Sequence, residues 1–230
     1  AEKYRMPCMI LADGILGQMM ESMSFHFDPV DPNTLGKFDW AVDINKNGRK
    51  KNNVFSYKGD NLIADVVERA KRYGYIEKTE PRFESRQTED CDVLLVAYGL
   101  SSRACMEAVV KGREEGLKVG LFRPITLWPF PAQALRDAAK NAKAVVCVEQ
   151  SLGQLVQDVK LSLNGAKPVY LNAYPAGGQP DGGTILPAVK SALSGGTEGL
   201  FDLQRHAEGF SYECKRDTAL GIQGDWKGGK

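Results

Sequence analysis

At 230 residues, 43% hydrophobic and 26% charged, the chain has material for one large domain, or a smaller domain with a fragment attached, and is too apolar for wholesale disorder. A formal net charge of +1, with no basic stripe interleaved with aromatics, argues against nucleic acid as a partner. No apolar run approaches the ~18 residues of a membrane span and no signal peptide precedes the first apolar run, so no membrane partner is expected.

The five cysteines, Cys8, Cys91, Cys105, Cys147 and Cys214, are odd in number and far apart, with no C-x-x-C. Neither a zinc ribbon nor a cluster-binding segment is encoded in that spacing. Cys91 and Cys147 sit in or beside apolar runs, where thiols act as small buried hydrophobes, and the pattern points to a reducing cytoplasm.

Residues 1–23 read as strand, turn and helix: the run Met6-Pro7-Cys8-Met9-Ile10-Leu11-Ala12, then Asp13-Gly14, then Ile15 to Met20. The chain starts at Ala1 and enters this strand pattern almost at once. A lone strand cannot stabilise itself, so its partners are expected on an upstream segment or on later strands. From Ser24 to Tyr57 the composition turns to Asp, Asn, Pro, Gly and Lys with scattered aromatics, a long stretch without periodicity of the kind that wraps another surface or moves. Leu62, Ile63, Val66, Val67 and Ala70 then recur at helical spacing, and Gly74 is expected to end that helix. Residues 76–90 are charged, contain Pro81 and read as a linker.

Beyond Asp92 the pattern sharpens. Val93 to Ala97 is a short, continuously apolar strand; Gly99 makes a turn, and Ser101 or Ser102 is a candidate cap for a helix running to about Gly116. Lys118 to Phe122 is the next strand, and Pro131 starts a helix through Lys140. Ala144 to Val148 is a third strand, followed by a helix from about Gly153 to Leu163. Pro168 to Leu171 is a fourth strand, and Thr184 to Leu193 a last helix. Strands apolar on both faces, alternating with helices, predict an α/β fold with a doubly wound parallel sheet. Residues 195–230 are rich in glycine and charge and are expected to form a loosely ordered tail, unless Phe201, Phe210, Tyr212 and Trp226 pack on a partner.

In an open parallel sheet ligands sit outside the carboxyl ends of the strands. Three loops are expected there: Tyr98 to Arg103, Arg123 to Phe130, and Glu149 to Gln154. They supply the candidate rim or interface residues Gly99, Ser102, Arg123, Thr126, Trp128, Glu149 and Gln154, with Ser102, Arg123, Thr126 and Glu149 expected to draw together. No G-x-G-x-x-G is present, so the dinucleotide fingerprint is missing and a plain connection is the simpler reading of the Gly99 turn. Arg123 beside Trp-Pro-Phe has the chemistry of an interface hot spot; the competing reading packs Trp128 and Phe130 beneath their own helix. Asp13-Gly14 with Asn52-Asn53 invites comparison with a thiamine-diphosphate metal motif. The residue before Asp13 is Ala12 and the spacing is long, so a strand-end turn and an exposed loop are preferred. His26 and His206 stand alone with no triad pattern, Arg49-Lys50-Lys51 reads as a solvated loop face, and Gly177-Gly178 and Gly182-Gly183 read as turns.

The run from Gly116 through Arg123-Pro124-Ile125-Thr126-Leu127-Trp128-Pro129-Phe130-Pro131 closely resembles the α-type subunits of 2-oxoacid:ferredoxin oxidoreductases. So do Val96-Ala97-Tyr98-Gly99 with Ser101-Ser102-Arg103 before it, and Val148-Glu149 with Gly153 to Val159 after it. Met9 to Glu21 resembles the end of that subunit's thiamine-pyrimidine-type domain. The resemblance covers about residues 5–190 and is nearest the branched-chain (2-ketoisovalerate) members, with the 2-oxoglutarate members close behind. It implies residues 1–75 as the remnant of the pyrimidine-type α/β domain, 76–90 as linker, 91–194 as a transketolase C-terminal-like domain and 195–230 as tail.

That resemblance implies oxidative decarboxylation of a 2-oxoacid to an acyl-CoA, with electrons passed to ferredoxin. Thiamine diphosphate and Mg2+ are then expected mainly on a β-type subunit, and iron–sulfur clusters on other subunits. The partners expected are that β-type subunit, γ-type and ferredoxin-like δ-type subunits, ferredoxin, coenzyme A and the 2-oxoacid. The family's cofactor-activating glutamate lies upstream of this chain, so no catalytic, cofactor-binding or metal-ligating residue is carried over, and the chain alone is expected to be inactive. The stretch 24–58 matches only patchily, around Trp40-Ala41-Val42, and Ala173 to Gly178 follows the family's glycine-rich loop only loosely. Two other readings stay open: the C-terminal domain of a 2-oxoacid dehydrogenase or transketolase, and a non-enzymatic doubly wound interaction or small-ligand module.

Overall fold

The computed structural model describes residues 1, 3–4, 6–29, 31, 33, 62–175 and 177–201. Trp40-Ala41-Val42, Arg49-Lys50-Lys51, Asn52-Asn53, His206, Phe210, Tyr212 and Trp226 lie outside those residues, as does most of the expected tail.

Four apolar runs become strands of one sheet: β2 (Val93–Val96), β3 (Val119–Pro124), β4 (Ala144–Glu149) and β5 (Val169–Ala173). All four run parallel, with β2 between β3 and β4 and β5 outside β4. A fifth strand, β1 (Phe83–Arg86), joins β3 antiparallel and gives the order β1-β3-β2-β4-β5. Side-chain alternation then divides the interior in two. Leu94, Val96, Phe122, Val145, Cys147 and Leu171 point to one face, where α3 (Ala132–Ala138) and α4 (Leu155–Leu163) cover them with Leu135, Leu155, Val156 and Val159. Val93, Leu95, Val119, Leu121, Val146 and Val148 point to the other, under α2 (Gly99–Glu114) and α5 (Gly182–Ser194) through Cys105, Ala108, Val109, Ile185 and Val189. Both faces are dry because both are covered. That is why these strands are apolar without interruption.

Local signals explain the helix ends. Asp181 caps α5 with its carboxylate, accepting from the Gly183 and Thr184 amides, while the Thr184 hydroxyl accepts from the Asp181 N–H. Asn164 and Gly195 close α4 and α5 in the left-handed conformation. Neither Ser101 nor Ser102 caps α2. The helix starts at Gly99, and the Ser102 hydroxyl donates back to the Gly99 carbonyl at 2.7 Å.

Upstream the structure corrects the expectations. The run from Met6 to Ala12 is not a strand: among the described residues nothing pairs with it, and Met9, Ile10 and Leu11 stand 73–95% exposed. The helix expected after Gly14 is a single 3-10 turn, Leu16–Gln18. The first long helix, α1 (Leu62–Thr79), does not stop at Gly74. An interior glycine costs a helix only about 1 kcal/mol, and the extra turns bury Ile76 and set Tyr75 against Tyr4. Residues 76–90 are not a plain linker either, since they finish α1 and supply β1. Phe83 stacks on Phe122, and Glu84 sits beside Arg123 on the neighbouring strand. The start of the tail is packed as well, with the Phe201 N–H donating to the Leu171 carbonyl at the edge of β5.

Candidate functional site

Strand order reverses between β2 and β4, so their carboxyl ends flank the topological switch point, the usual place for a ligand in such a sheet. The Tyr98–Gly99 turn lies on one side and the Glu149–Gln154 loop on the other.

Glu149 ends β4 and is 3% exposed. One of its oxygens accepts from the Gln154 and Leu155 amides and from the Ser151 hydroxyl, and the other accepts from the Val156 amide, all at 2.8–3.0 Å. Its charge is therefore spent on the first turn of α4, where backbone donors and the helix dipole both favour an anion. Gln154 is exposed and contributes its backbone N–H to this cap.

Gly99 has φ +56°, and a methyl group there would come within 2.9 Å of Asp13 Oδ2. That oxygen accepts from the Leu100 N–H at 3.0 Å while Asp13 Oδ1 accepts from the Leu16 N–H at 2.8 Å. Asp13 thus takes the place of a cap on α2. Tyr98, between these two loops, has its phenol pushed up by burial and by the nearby charge of Glu149.

The third loop turns away from the switch point. Arg123 Nη1 pairs with Glu84 at 3.2 Å, both side chains about two-fifths exposed. Thr126 Oγ1 donates to the Pro129 carbonyl and accepts from the Arg82 N–H, tying the loop to the approach to β1. Phe130 joins the core beside α3, whereas Trp128 stays half exposed, edge-on to Tyr73 of α1 at 5.6 Å. Phe130 thus packs inward beside its own helix, while Trp128 does not. Ser102, Arg123, Thr126 and Glu149 do not come together through any described bond; each serves its own turn, cap or ion pair.

One recess escaped the sequence reading. A cleft of about 300 Å³ at the carboxyl end of β5 is lined by Asn172, Tyr174, Thr184, Gly199 and Phe201 among others. The Asn172 amide donates to the Gly199 carbonyl, and the Tyr174 hydroxyl donates to Thr184. Its lining carries no ionised side chain, so it offers hydrogen bonds and apolar contact but no acid, base or nucleophile. Asn172 and Tyr174 sit in a strand end and a turn with no motif, so no sequence signal marked them.

Among the described residues no three His, Cys, Asp or Glu side chains gather so as to hold a metal ion. Cys91, Cys105 and Cys147 are buried and dispersed, and burial raises all three thiols, Cys91 to about 11. No helix among the described residues is long and apolar enough to cross a membrane.

Residues 91–182 match the family described as pyruvate:ferredoxin oxidoreductase core domain II. The chain is 40% identical over 175 residues to the ketoisovalerate oxidoreductase subunit VorB of Methanothermobacter marburgensis, an alignment covering 74% of this chain and 48% of that protein. It is 29% identical over 197 residues to the 2-oxoglutarate synthase subunit KorA of Methanocaldococcus jannaschii, covering 74% of this chain and 52% of the relative. The chain therefore spans about half the length of the curated relatives it matches. Among solved structures, a 2-oxoglutarate:ferredoxin oxidoreductase from Magnetococcus marinus aligns with a TM-score of 0.48 and 22% identity over 60% of this chain and 24% of that one.

Proposed function

We infer that this chain, which carries pyruvate:ferredoxin oxidoreductase core domain II over residues 91–182, is part of an α-type subunit of a 2-oxoacid:ferredoxin oxidoreductase and works only within a complex. The observation that carries this reading is the 40% identity to a ketoisovalerate oxidoreductase subunit across three-quarters of the chain. The reaction is cleavage of the bond between the carboxylate and the oxo carbon, release of carbon dioxide, transfer of the acyl group to coenzyme A and passage of the electron pair to ferredoxin. A branched-chain 2-oxoacid is the preferred substrate on this reading, because identity falls from 40% to 29% on going to a 2-oxoglutarate relative.

The described residues do not fit the cofactors this chemistry uses. No metal-ligating cluster forms among them, and Asp13 commits both carboxylate oxygens to amides of Leu16 and Leu100. On this reading, thiamine diphosphate and Mg2+ belong mainly to a β-type subunit of the assembly, and iron–sulfur clusters to other subunits. The contribution of this chain is a rigid doubly wound support with an exposed apolar flank on the loop after β3. Ile125, Leu127 and Trp128 are 39–49% exposed there, beside Arg123, and present the residue types that anchor interfaces. A cytoplasmic location goes with this reading, as ferredoxin-linked chemistry and free buried thiols suit a reducing compartment.

Purification of the native assembly through a tag on this chain tests the reading. A thiamine-binding subunit and a ferredoxin-like subunit are expected to co-elute in fixed ratio. Recovery of this chain with a lipoyl-domain protein instead would favour a 2-oxoacid dehydrogenase, and recovery as a stable monomer would favour an interaction module.

A further inference from the structure

We propose that Asn164–Gly165, the left-handed turn that closes α4, is a deamidation site whose reaction is gated by the carboxyl-terminal cap of that helix. The inference does not depend on the function read above.

The reacting groups are the side-chain amide of Asn164 and the backbone nitrogen that follows it. Gly165 brings no β-carbon to shield that nitrogen, and a β-carbon built there would meet nothing within 4 Å. Its N–H donates to no carbonyl among the described residues, and no described group bonds the Asn164 side chain. In the reaction the Gly165 nitrogen attacks Asn164 Cγ and gives up its proton to solvent. The bond from Cγ to Nδ2 breaks, ammonia leaves and a cyclic imide remains. Water then opens the imide at either carbonyl, giving aspartate or an isoaspartate whose β-carbon lies in the main chain. Water is consumed and ammonia released, with no change of oxidation state.

The fold holds this reaction back. Asn164 sits at φ +46° and ψ +46°. That ψ sets the Gly165 nitrogen nearly anti to the Asn164 β-carbon, whereas ring closure needs the two eclipsed. Backbone bonds maintain the turn: the Asn164 N–H donates to the Lys160 carbonyl and the Ala166 N–H to the Leu163 carbonyl, both at 2.9 Å. Arg136 of α3 adds a further hold, its Nη1 donating to the Ser162 carbonyl at 3.0 Å, and Leu163 is 3% exposed in the core. Reaction therefore waits on opening of the last turn of α4, which fraying at a helix end supplies without unfolding the sheet. The isoaspartate product does not refit. Its longer main chain separates Leu163 from Ala166, and its carboxylate lies at the negative end of the helix.

Peptide mapping of the full chain aged in mildly alkaline buffer tests this, with a free peptide of residues 158–168 as reference. Isoaspartate at position 164 is expected to accumulate in the folded chain, about tenfold or more slower than in the peptide. Arg136→Ala loosens the cap from outside the peptide and should raise the rate in the folded chain severalfold. The aged wild type should melt about 2–4 °C below fresh protein. Asn164→Gly keeps the left-handed cap and should reduce that loss while removing the product at this position. The map separates this site from the second Asn-Gly pair, Asn47–Gly48. An unmodified Asn164 after the peptide has fully reacted would overturn the proposal. So would equal rates in folded chain and peptide, since the cap would then gate nothing.

Discussion

Glu149 shows how a residue's surroundings decide its role. An acid at the end of a buried strand suggests a reactive rim; with four donors turned toward it, the same acid is a helix cap. Glu149→Ala leaves buried amides of α4 without an acceptor and should cost about 2–4 kcal/mol, and Glu149→Gln about half of that, as measured by chemical denaturation. Equal costs for the two variants would mean that shape matters there and charge does not. Gly120 is a second sensitive position. A β-carbon on it would lie 2.6 Å from the Gln87 carbonyl oxygen and 3.0 Å from Cys91 Cβ, so Gly120→Ala should destabilise by about 2–3 kcal/mol. The buried thiols carry a pH prediction. Cys91 is raised to about 11 by burial, and an unfolded thiol loses its proton near ~8.5, so above that pH the unfolded chain releases protons that the folded chain retains. Stability is expected to be unaffected by this group below about pH 8.5 and to fall as pH climbs toward 11, a loss that Cys91→Ala should reduce. In labelling at pH 8, exposed Cys8 should react while Cys91, Cys105 and Cys147 stay unmodified until denaturant is added.

At the scale of elements, legibility followed burial. β2, β4 and most of β3 were readable because both of their faces are covered, which demands unbroken apolar runs. β1 was not, because its sequence Phe-Glu-Ser-Arg carries one large apolar residue and its outer edge meets no strand among the described residues. The segment Met6 to Ala12 failed in the opposite sense: it has the composition of a buried strand and no described neighbour to bury it. Site contacts were the least legible of all. The bond from Asp13 to the start of α2 spans 87 positions and leaves no periodic trace, and Thr126 binds a residue 44 positions away. Element stability should follow the same burial. α1 buries Ile76 near its end while Leu62, Ile63, Val66 and Val67 are 44–81% exposed, so its first two turns should exchange amides fastest among the long helices. Amides of β2 and β4 should exchange slowest, through global unfolding alone. First turns of α1 as protected as β4 in the isolated chain would contradict this.

At the scale of the molecule, the described residues form a well-buried doubly wound domain preceded in sequence by poorly buried material. Both faces of its sheet are covered, yet Ile10, Met20 and Phe27 of the amino-terminal segment stand 84–99% exposed, and Leu62, Val66 and Val67 of α1 stand 44–50% exposed. Such surface is unusual for a chain that works alone and suits one that is covered in an assembly. The most direct test is 2-oxoacid- and coenzyme A-dependent ferredoxin reduction, measured for this chain alone and for the assembly containing its complete subunit with the thiamine-binding and ferredoxin-like partners. No turnover is expected of the chain alone and turnover is expected of the assembly, with kcat/KM greater for 2-ketoisovalerate than for 2-oxoglutarate. Turnover by the isolated chain, or an assembly inactive on every 2-oxoacid, would contradict it.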